Sequence, residues 1–315
     1  MLSKSKEEYK KLLETHYVPI QMRPVWMDAV VKKGQWDVII KSDKSGHPQG
    51  VLVYHHREFL GFRFILMPPL CFYNGIYLFD DKTLPNHKQI AFQNRAVDEL
   101  ISALPSHVLY YQQFHPDFNN WFSLFKKKYK QTTRYTYHIR TDVNTDELWE
   151  GLKPNARRNI TKGEKRYSVK DVSFNSFWQS LEKAYRNRFN PFQKNILSEL
   201  HDNLNAISCC NLQLVFDEEE NILAGSLIAY DVKSSYYVCG FYEPQYKEKA
   251  GLSYLLWHQI KHNPAPLFDF EGSMIPDIEY YFRAFGGKLV PHFRIWKIYN
   301  TLLSPLIKFK FRDIF

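Results

Sequence analysis

The fold is decided by positions 267–287, which read LFDFEGSMIPDIEYYFRAFGG. The apolar start of this segment predicts a strand over 267–271, in which alternate side chains point to opposite faces. Asp269 and Glu271 then share one face of the strand, and Phe268 and Phe270 point to the other face. The glycine pair that closes the segment is a helix-stop signal, so a helix is predicted over 276–285.

The rest of the second half supplies a defined order of elements around this segment. A helix is predicted from position 145 to about 162, although Pro154 is expected to break it early. Further helices are predicted over 174–189, 193–205 and 253–262. Strands are predicted over 211–216, 222–230, 235–241 and 290–299, and the first two flank an acidic turn.

The first half repeats the same order without obvious sequence identity. Helices are predicted over 7–16, 87–104 and 118–129, and strands over 36–40, 50–54, 62–67, 108–111 and 132–139. Each half therefore reads helix, antiparallel hairpin, strand, helix, strand, helix, strand. This repetition predicts an α/β (α+β) protein of two tandem domains, 1–141 and 142–315. Each domain is expected to hold a mixed, mostly antiparallel sheet flanked by helices.

Composition narrows the class of protein. Of 315 residues, 44% are hydrophobic and 17% aromatic, enough for a sizeable core, and no apolar run is long enough to predict a membrane span. The four cysteines include no CxxC pair, so neither a disulfide framework nor a metal site is predicted, and a cytoplasmic location is expected. The net charge of +9 suits a phosphate-rich partner, such as coenzyme A, a nucleotide-linked sugar or tRNA, and equally a basic solvated surface.

Four segments carry a resemblance to a known family. They are Arg134-Tyr135-Thr136-Tyr137-His138-Ile139, Leu148-Trp149 with Asn155-Ala156-Arg157-Arg158-Asn159-Ile160-Thr161-Lys162, positions 267–273, and positions 278–287. They resemble the entering strand, the "R-x-x-I-x-K" helix, the fifth strand and the following helix of FemAB-like proteins. This group has two GNAT acyltransferase domains in tandem and includes the BioF2-like acetyltransferases. The resemblance implies a catalytic second domain and a first domain without a cofactor.

The same resemblance implies acyl transfer onto an amine by direct attack. The donor would be an acyl-CoA co-substrate, with no permanently bound cofactor. Asp269 or Glu271 would take the proton of the amine, and Tyr281 is the preferred acid for the leaving group among several tyrosines. Backbone N–H groups over 237–241 would hold the oxyanion. The alternative for the carboxylates is an ion pair with Arg283 or a lysine.

A glycine-bearing loop over 243–251 is the predicted site of the coenzyme pyrophosphate, because backbone N–H groups and a helix N-terminus bind anions. The residues predicted to hold the coenzyme are Tyr237, Val238, Cys239, Lys247, Lys249, Ala250, Gly251, Leu252 and Ser253. The loop departs from the family pattern Q/R-x-x-G-x-G/A, since Gly251 is its only glycine. A simple turn before a helix is the other interpretation.

A basic helix supplies the predicted substrate contacts. Arg158, Lys162 and Arg166 recur at i, i+4 and i+8 and are expected to line one face suited to phosphate oxygens. Tyr242 and Arg283 complete the predicted substrate-binding set. A solvated charged face is the alternative explanation.

Two other functions stay open at this point. One is a FemX-like aminoacyltransferase that uses aminoacyl-tRNA on a peptidoglycan precursor. The other is a non-catalytic binding protein on a degenerate GNAT frame. A small-molecule or peptidoglycan-precursor acceptor is expected under the acyl-CoA hypothesis and under the FemX-like hypothesis. In addition, tRNA is a possible partner, and no interaction with DNA is expected.

Overall fold

The chain divides into two units in the computed structural model, which describes residues 4–79, 83–187, 189–300 and 302–311. Unit 1 is Met1–Arg134 with Pro291–Phe315, and unit 2 is Tyr135–Val290. These bounds differ from the predicted 1–141 and 142–315, because the end of the chain returns to unit 1. Residues 294–298 pair there with residues 109–113, a long-range contact that local sequence patterns do not reveal.

Unit 1 contains the elements up to the start of β6, most of β12 and the last helix. They are α1 (Lys4–Leu12), a 3₁₀ turn (Ile20–Met22), α2 (Pro24–Val30), β1 (Gln35–Ser42), β2 (Pro48–Phe59), β3 (Phe62–Leu66), β4 (Gly75–Leu78), α3 (Asn86–Ser102), β5 (Leu109–Gln113), α4 (Phe122–Lys126) and the start of β6 (Lys130–Arg140), followed much later by most of β12 (Lys288–Ile298) and by α11 (Ser304–Lys310).

The sheet of unit 1 is built outward from a hairpin. β1 and β2 are antiparallel, and their turn is held by Asp43, whose Oδ1 accepts from the backbone N–H groups of Ser45 and His47 at 2.8 and 2.9 Å. β3 and β4 both pair with β2. β3 pairs in parallel with β5. α3 packs its buried side chains against this sheet.

Unit 2 contains the remaining elements. After the end of β6 they are α5 (Thr145–Gly151), α6 (Pro154–Gly163), β7 (Ser168–Asp171), α7 (Phe174–Ala184), α8 (Lys194–Ala206), β8 (Cys210–Phe216), β9 (Ile222–Tyr230), β10 (Ser235–Tyr242), α9 (Gly251–Lys261), β11 (Leu267–Asp269), α10 (Pro276–Arg283) and the start of β12 (Lys288–Ile298). A 3₁₀ turn, Pro244–Lys249, precedes α9.

The sheet of unit 2 runs β6-β11-β10-β9-β8-β7. Only β10 and β11 are parallel neighbours within it, so the predicted mixed, mostly antiparallel sheet is confirmed. Pro154 does break the predicted helix, into α5 and α6. α5 begins at the predicted position, Thr145, and Asn144 caps it, because Asn144 Oδ1 accepts from the backbone N–H of Asp146 at 3.0 Å.

One apolar cluster lies beneath the opening segment of the sequence analysis. Phe268 and Phe270 pack with Ile160 of α6, Leu256 of α9 and Phe282 of α10. All five are almost fully buried, and burying side chains of this size contributes about 1.5–3 kcal/mol each before the cost of ordering them. This cluster fixes β11 against three helices.

No helix within the described residues is both long and apolar enough to cross a membrane.

Candidate active site

The parallel strands β10 and β11 separate after two paired positions. Ser235 lies opposite Phe268 and Tyr236 opposite Asp269, where β11 ends. β10 continues to Tyr242, paired on its other side with β9. In the described part of the chain, no strand pairs with the β11 side of β10 beyond Tyr236. A strand edge without a neighbour presents backbone N–H and C=O groups to other partners.

A β-bulge lies at the start of this open edge. Tyr237 pairs with Ile228 and Cys239 pairs with Leu227, so Val238 is the extra residue. A bulge breaks the regular alternation and redirects the backbone and side chains around it, and bulges are common beside active sites. Three of the predicted coenzyme-binding residues therefore lie where the two strands separate.

Asp269 is fixed by hydrogen bonds to both of its carboxylate oxygens. Its Oδ1 accepts from Thr136 Oγ1 at 2.5 Å and from the backbone N–H of Glu271 at 2.7 Å. Its Oδ2 lies 3.2 Å from His138 Nε2. The side chain is only 1% exposed. The predicted alternative of an ion pair with Arg283 is wrong in its partner, since Arg283 pairs with Glu279 instead.

The surroundings of Asp269 favour its charged form. Burial alone would raise the pKa of this carboxyl group, but the hydrogen bond and charge of His138, with smaller contributions from Thr136 and the Glu271 backbone, hold the pKa below its usual value. A carboxylate stabilised in this way is a weak base. The hydrogen bonds of Asp269 suit a residue that holds the end of β11 in position.

The predicted shared face of Asp269 and Glu271 is wrong, because the strand stops at Asp269. Glu271 has a φ of +57° and Gly272 a φ of +69°, so two consecutive left-handed residues turn the chain. A Cβ on Gly272 would lie 2.0 Å from the backbone oxygen of Tyr135, which explains the glycine. Glu271 is an outlier for a residue of its type, and such strain is often retained at functional sites.

Glu271 lies within electrostatic range of the bulge. Burial raises the pKa of the Cys239 thiol to about 12, and the negative charge of Glu271 adds to that increase. Cys239 is therefore protonated at neutral pH and cannot act as a nucleophile. Glu271 is half-buried, so its carboxylate is more accessible than that of Asp269.

Two tyrosines complete the cluster around the bulge. Tyr281 Oη lies 3.1 Å from Ser253 Oγ, in the first turn of α9. Burial raises the pKa of Tyr281 above its ordinary value. The pKa of Tyr237 is also raised well above normal, first by burial and then by the neighbouring Tyr281. Both phenols thus carry their protons and can donate hydrogen bonds.

Gly240 leaves room for the Tyr237 side chain, which suggests a first test. A Cβ at position 240 would lie 2.1 Å from Tyr237 Oη. We expect Gly240→Ala to displace this phenol and to lower kcat by about 10-fold to 100-fold, because small misplacements in a site cost rates of this size. Steady-state kinetics with far-ultraviolet circular dichroism measures both activity and fold. Gly151→Ala is the control for the substitution itself, since no atom lies within 4 Å of a Cβ there and the backbone is not left-handed. An unchanged kcat for Gly240→Ala would contradict the assignment.

The loop before α9 is folded differently from a glycine-rich phosphate cradle. Lys249 Nζ lies 2.5 Å from Asp217 Oδ2, so its charge is already paired. Ala250 takes a left-handed conformation with φ of +56°. Gly251 is needed for packing, because a Cβ there would lie 2.5 Å from Leu223 Cβ. Lys247 belongs to the same loop, is exposed and does not take part in that ion pair.

The remaining coenzyme-binding candidates are placed at the start of α9. Leu252 is half-buried against the apolar cores, and Ser253 is buried and contacts Tyr281. The first turn of an α-helix has N–H groups without intrahelical partners, which favour negative charge. Of the features predicted for the anion site, the structure therefore contains the helix N-terminus.

The basic helix α6 adjoins this loop. Arg158 and Lys162 are exposed, and Lys162 Nζ is 3.5 Å from the backbone oxygen of Glu248. Arg166 is not on the predicted face, because α6 ends at Gly163. A Cβ on Gly163 would lie 2.7 Å from the Tyr254 ring, so the helix approaches α9 closely and ends there.

Two predicted substrate residues lie in other surroundings. Tyr242 packs against the cluster of Val215, Leu223 and Leu255. Arg283 is exposed, with Nε 3.2 Å from Glu279 Oε1, and Glu279 also accepts a hydrogen bond from Tyr137 Oη. Their role in substrate binding stays a prediction.

Thr136 and His138 were not predicted as site residues. They are two positions apart on β6, so their side chains point to the same face, and His138 is the strand partner of Asp269. The face that they share also carries Lys130, Thr132, Arg134 and Arg140, so the sequence pattern does not single these two residues out. Their partner comes from a distant strand.

Comparison with known proteins identifies the fold of the chain. No protein-family model and no curated protein sequence matches the chain. Among solved structures, the chain is similar to FemX, at 13% sequence identity and a TM-score of 0.72, covering 98% of this chain and 99% of that one. The chain has the fold of FemX. The fold predicted from the resemblance is therefore confirmed, as a fold.

Two other solved structures agree with this fold. One is a conserved protein of unknown function from Bacteroides thetaiotaomicron VPI-5482, with 7% identity, a TM-score of 0.56 and coverage of 86% of this chain and 88% of that one. The other is the C-terminal domain of a putative lysylphosphatidylglycerol synthetase from Agrobacterium fabrum, with 9% identity, a TM-score of 0.54 and coverage of 96% of both chains. Identities this low describe the fold and leave the reaction to the site.

Proposed function

We propose that the protein is an N-acyltransferase that moves an acyl group from an activated donor to an amine by direct attack. The observation that carries this proposal is the open, bulged edge of β10, where the charge of Glu271 acts on Cys239 of the bulge and the protonated phenols of Tyr237 and Tyr281 are neighbours. A base, hydrogen-bond donors and unpaired backbone groups are the parts that such a reaction needs.

The reaction balances with these groups alone. Glu271 takes a proton from the acceptor ammonium, and the freed nitrogen lone pair attacks the donor carbonyl carbon. Backbone N–H groups at the bulge hold the oxyanion that forms. The new C–N bond is retained, the bond from the carbonyl carbon to the donor oxygen or sulfur breaks, and Tyr281 or Tyr237 gives its proton to the leaving atom. The nitrogen is positively charged after the attack, and its second proton restores the phenol, while the proton on Glu271 passes to water. No covalent enzyme intermediate is required.

Asp269 acts in this scheme as a positioning residue. Its Oδ1 binds the backbone N–H of Glu271, and its Oδ2 binds His138. These bonds hold Glu271 in its left-handed conformation. The division of roles follows from burial, because the enclosed carboxylate is stabilised as an anion and the half-buried one is the more exposed of the two.

The donor that these features favour is an acyl ester of an alcohol, such as an aminoacyl ester of tRNA. A thiol ionises near pH ~8.5, so a thiolate can leave without a proton donor. An alkoxide is a much stronger base and needs a proton donor in order to leave. Tyr281 and Tyr237 supply such donors. The ion pair of Lys249 with Asp217, and the packing role of Gly251, leave the loop poorly equipped for the pyrophosphate of coenzyme A. The sequence-predicted acyl-CoA donor is the alternative.

Calorimetric titration of the full chain distinguishes the two donors. The probes are acetyl-CoA, free coenzyme A, and a tRNA acceptor-stem RNA carrying a non-hydrolysable 3′-aminoacyl amide. We expect saturable binding of the aminoacyl RNA and at least tenfold weaker binding of both coenzymes. Arg158→Gln and Lys162→Gln together should weaken RNA binding, while Lys44→Gln, an exposed lysine in unit 1, is the control.

Two results would change the assignment. Tight binding of acetyl-CoA, lost in Lys247→Gln, would restore the thioester donor within the same reaction class. Absence of binding to every donor, with a UDP-linked muropeptide still bound, would favour the non-catalytic alternative and overturn the proposed transfer.

A further inference from the structure

An exposed patch of apolar and basic side chains lies on unit 1. We define the apolar–basic patch as Phe59, Leu60, Phe62, Leu306 and Phe309 with Lys308 and Lys310. Its apolar members include three of the most exposed large hydrophobic residues of the described chain, at 80% for Leu60, 68% for Leu306 and 83% for Phe309. Large exposed apolar patches mark interaction sites.

The first part of the patch is the tip of the β2–β3 hairpin. Phe59 pairs with Phe62 across the two-residue turn Leu60-Gly61. Leu60 has a φ of +51° and Gly61 a φ of +74°, a turn geometry that favours Asn or Asp at the first position. A leucine there is unfavourable for backbone conformation and for solvation at once. Folding of the unit does not explain its presence, since its side chain is in solvent.

The second part is the helix α11, which has two apolar faces. Ile307 is buried against Phe64, Leu66 and Leu109, so one face holds the helix on the sheet. Leu306 and Phe309 are three positions apart and share another face, which is exposed. Lys308 and Lys310 are exposed as well.

The two parts are adjacent. Lys310 Nζ lies 3.7 Å from the centroid of the Phe59 ring, and the rings of Phe64 and Phe311 are 5.7 Å apart. The hairpin tip and the outer face of α11 therefore belong to one surface. A lysine over an aromatic ring at its rim keeps its ammonium group in water while its stem covers apolar surface.

The charge of unit 1 identifies the kind of partner. It has 24 Lys and Arg against 13 Asp and Glu, a net charge of +11, whereas unit 2 has 18 against 20, a net charge of −2. The apolar residues thus lie on the strongly cationic unit. Apolar insertion combined with basic flanks is the arrangement of proteins that bind at the interface of anionic membranes.

We propose that the apolar–basic patch binds the surface of an anionic lipid bilayer. Leu60, Leu306 and Phe309 enter the boundary between headgroups and acyl chains. Lys308 and Lys310 contact the lipid phosphates at the rim. This surface recruits the protein to the membrane reversibly, because one hairpin tip and a two-turn helix bury far less apolar surface than a spanning helix.

Vesicle co-sedimentation of the full chain tests the proposal. The probes are vesicles of equal parts phosphatidylglycerol and phosphatidylcholine, and vesicles of phosphatidylcholine alone. We expect binding to the anionic vesicles at least tenfold stronger than to the neutral ones, with a further decrease as salt is raised. Leu60→Ser with Phe309→Ser should lower it at least tenfold. Val232→Ser is the matched control, since Val232 is an apolar residue 77% exposed in a hairpin turn of unit 2.

A second pair of variants separates the contributions. Lys308→Gln with Lys310→Gln should remove most of the preference for anionic vesicles and leave the melting temperature unchanged, with Lys165→Gln as the control. Equal binding to both vesicle types, or unchanged binding of the apolar variants, would overturn the proposal. So would sedimentation velocity without vesicles that shows a dimer abolished by Leu60→Ser, because a second copy would then cover the patch.

Discussion

Glu271→Gln is expected to lower kcat by about 10²-fold to 10⁴-fold, the range that general acid–base catalysis contributes. The amide is nearly the same size as the carboxylate and keeps the left-handed backbone conformation as well as glutamate does, but it cannot accept the proton of the acceptor amine. The fold should be unaffected, because Glu271 is half-buried and its backbone N–H remains bonded to Asp269. Single-turnover kinetics with saturating donor and acceptor measures this step directly.

A stability measurement distinguishes catalysis from structure at the same position. Glu271→Gly removes the carboxylate and also relieves the φ of +57°, a conformation that costs about 1–2 kcal/mol for residues other than glycine. We expect no loss in the free energy of unfolding together with the same loss of kcat. Glu182→Gln, on an exposed position of α7, is the control. If Glu271→Gly unfolded the protein, or if Glu271→Gln retained full kcat, the base would have to be sought elsewhere.

The sequence was sufficient for most of the order of elements, because that order depends on local signals, but α2, β4, β7 and α11 were not predicted. Alternation and turn residues predicted the hairpins β1–β2 and β8–β9, and Pro154 marked the break between α5 and α6. β7 was missed, since Ser168–Asp171 is short and mostly exposed, so it shows no apolar period. α4 is shorter than the predicted 118–129, because a run of apolar residues does not indicate where a helix ends.

The candidate site was predicted in composition but not in geometry. Asp269, Glu271, Tyr237, Cys239 and Tyr281 were all named from short motifs. Their arrangement depends on a bulge and on two left-handed residues, which strand alternation cannot anticipate. The partners of Asp269 come from β6, more than a hundred positions earlier in the chain. The pairing of β12 with β5, which brings the end of the chain into unit 1, is also a contact between positions far apart in the sequence.

Asp269→Asn is expected to lower the free energy of unfolding by about 3 kcal/mol, because removal of one partner from a buried charged network leaves the other groups poorly satisfied. Its kcat should fall as well, since the backbone N–H of Glu271 loses a charged acceptor. Urea denaturation at neutral pH measures the stability. Thr136→Val is the matched variant: it removes one donor to the same oxygen and should cost about 1 kcal/mol while leaving kcat within a few-fold of the parent.

The pH dependence of this stability follows from the lowered pKa of Asp269. A carboxyl group whose pKa is lower in the folded state stabilises the fold above its unfolded value of about 3.9 and loses that contribution as the pH falls through the folded pKa. The difference in unfolding free energy between the parent and Asp269→Asn should therefore be fully present at pH 5 and decrease below about pH 4. A difference that grew on acidification would mean that Asp269 is bound in its protonated form. The roles of the two carboxylates would then be exchanged, with Asp269 as the group that can accept a proton and Glu271 as the one that positions it.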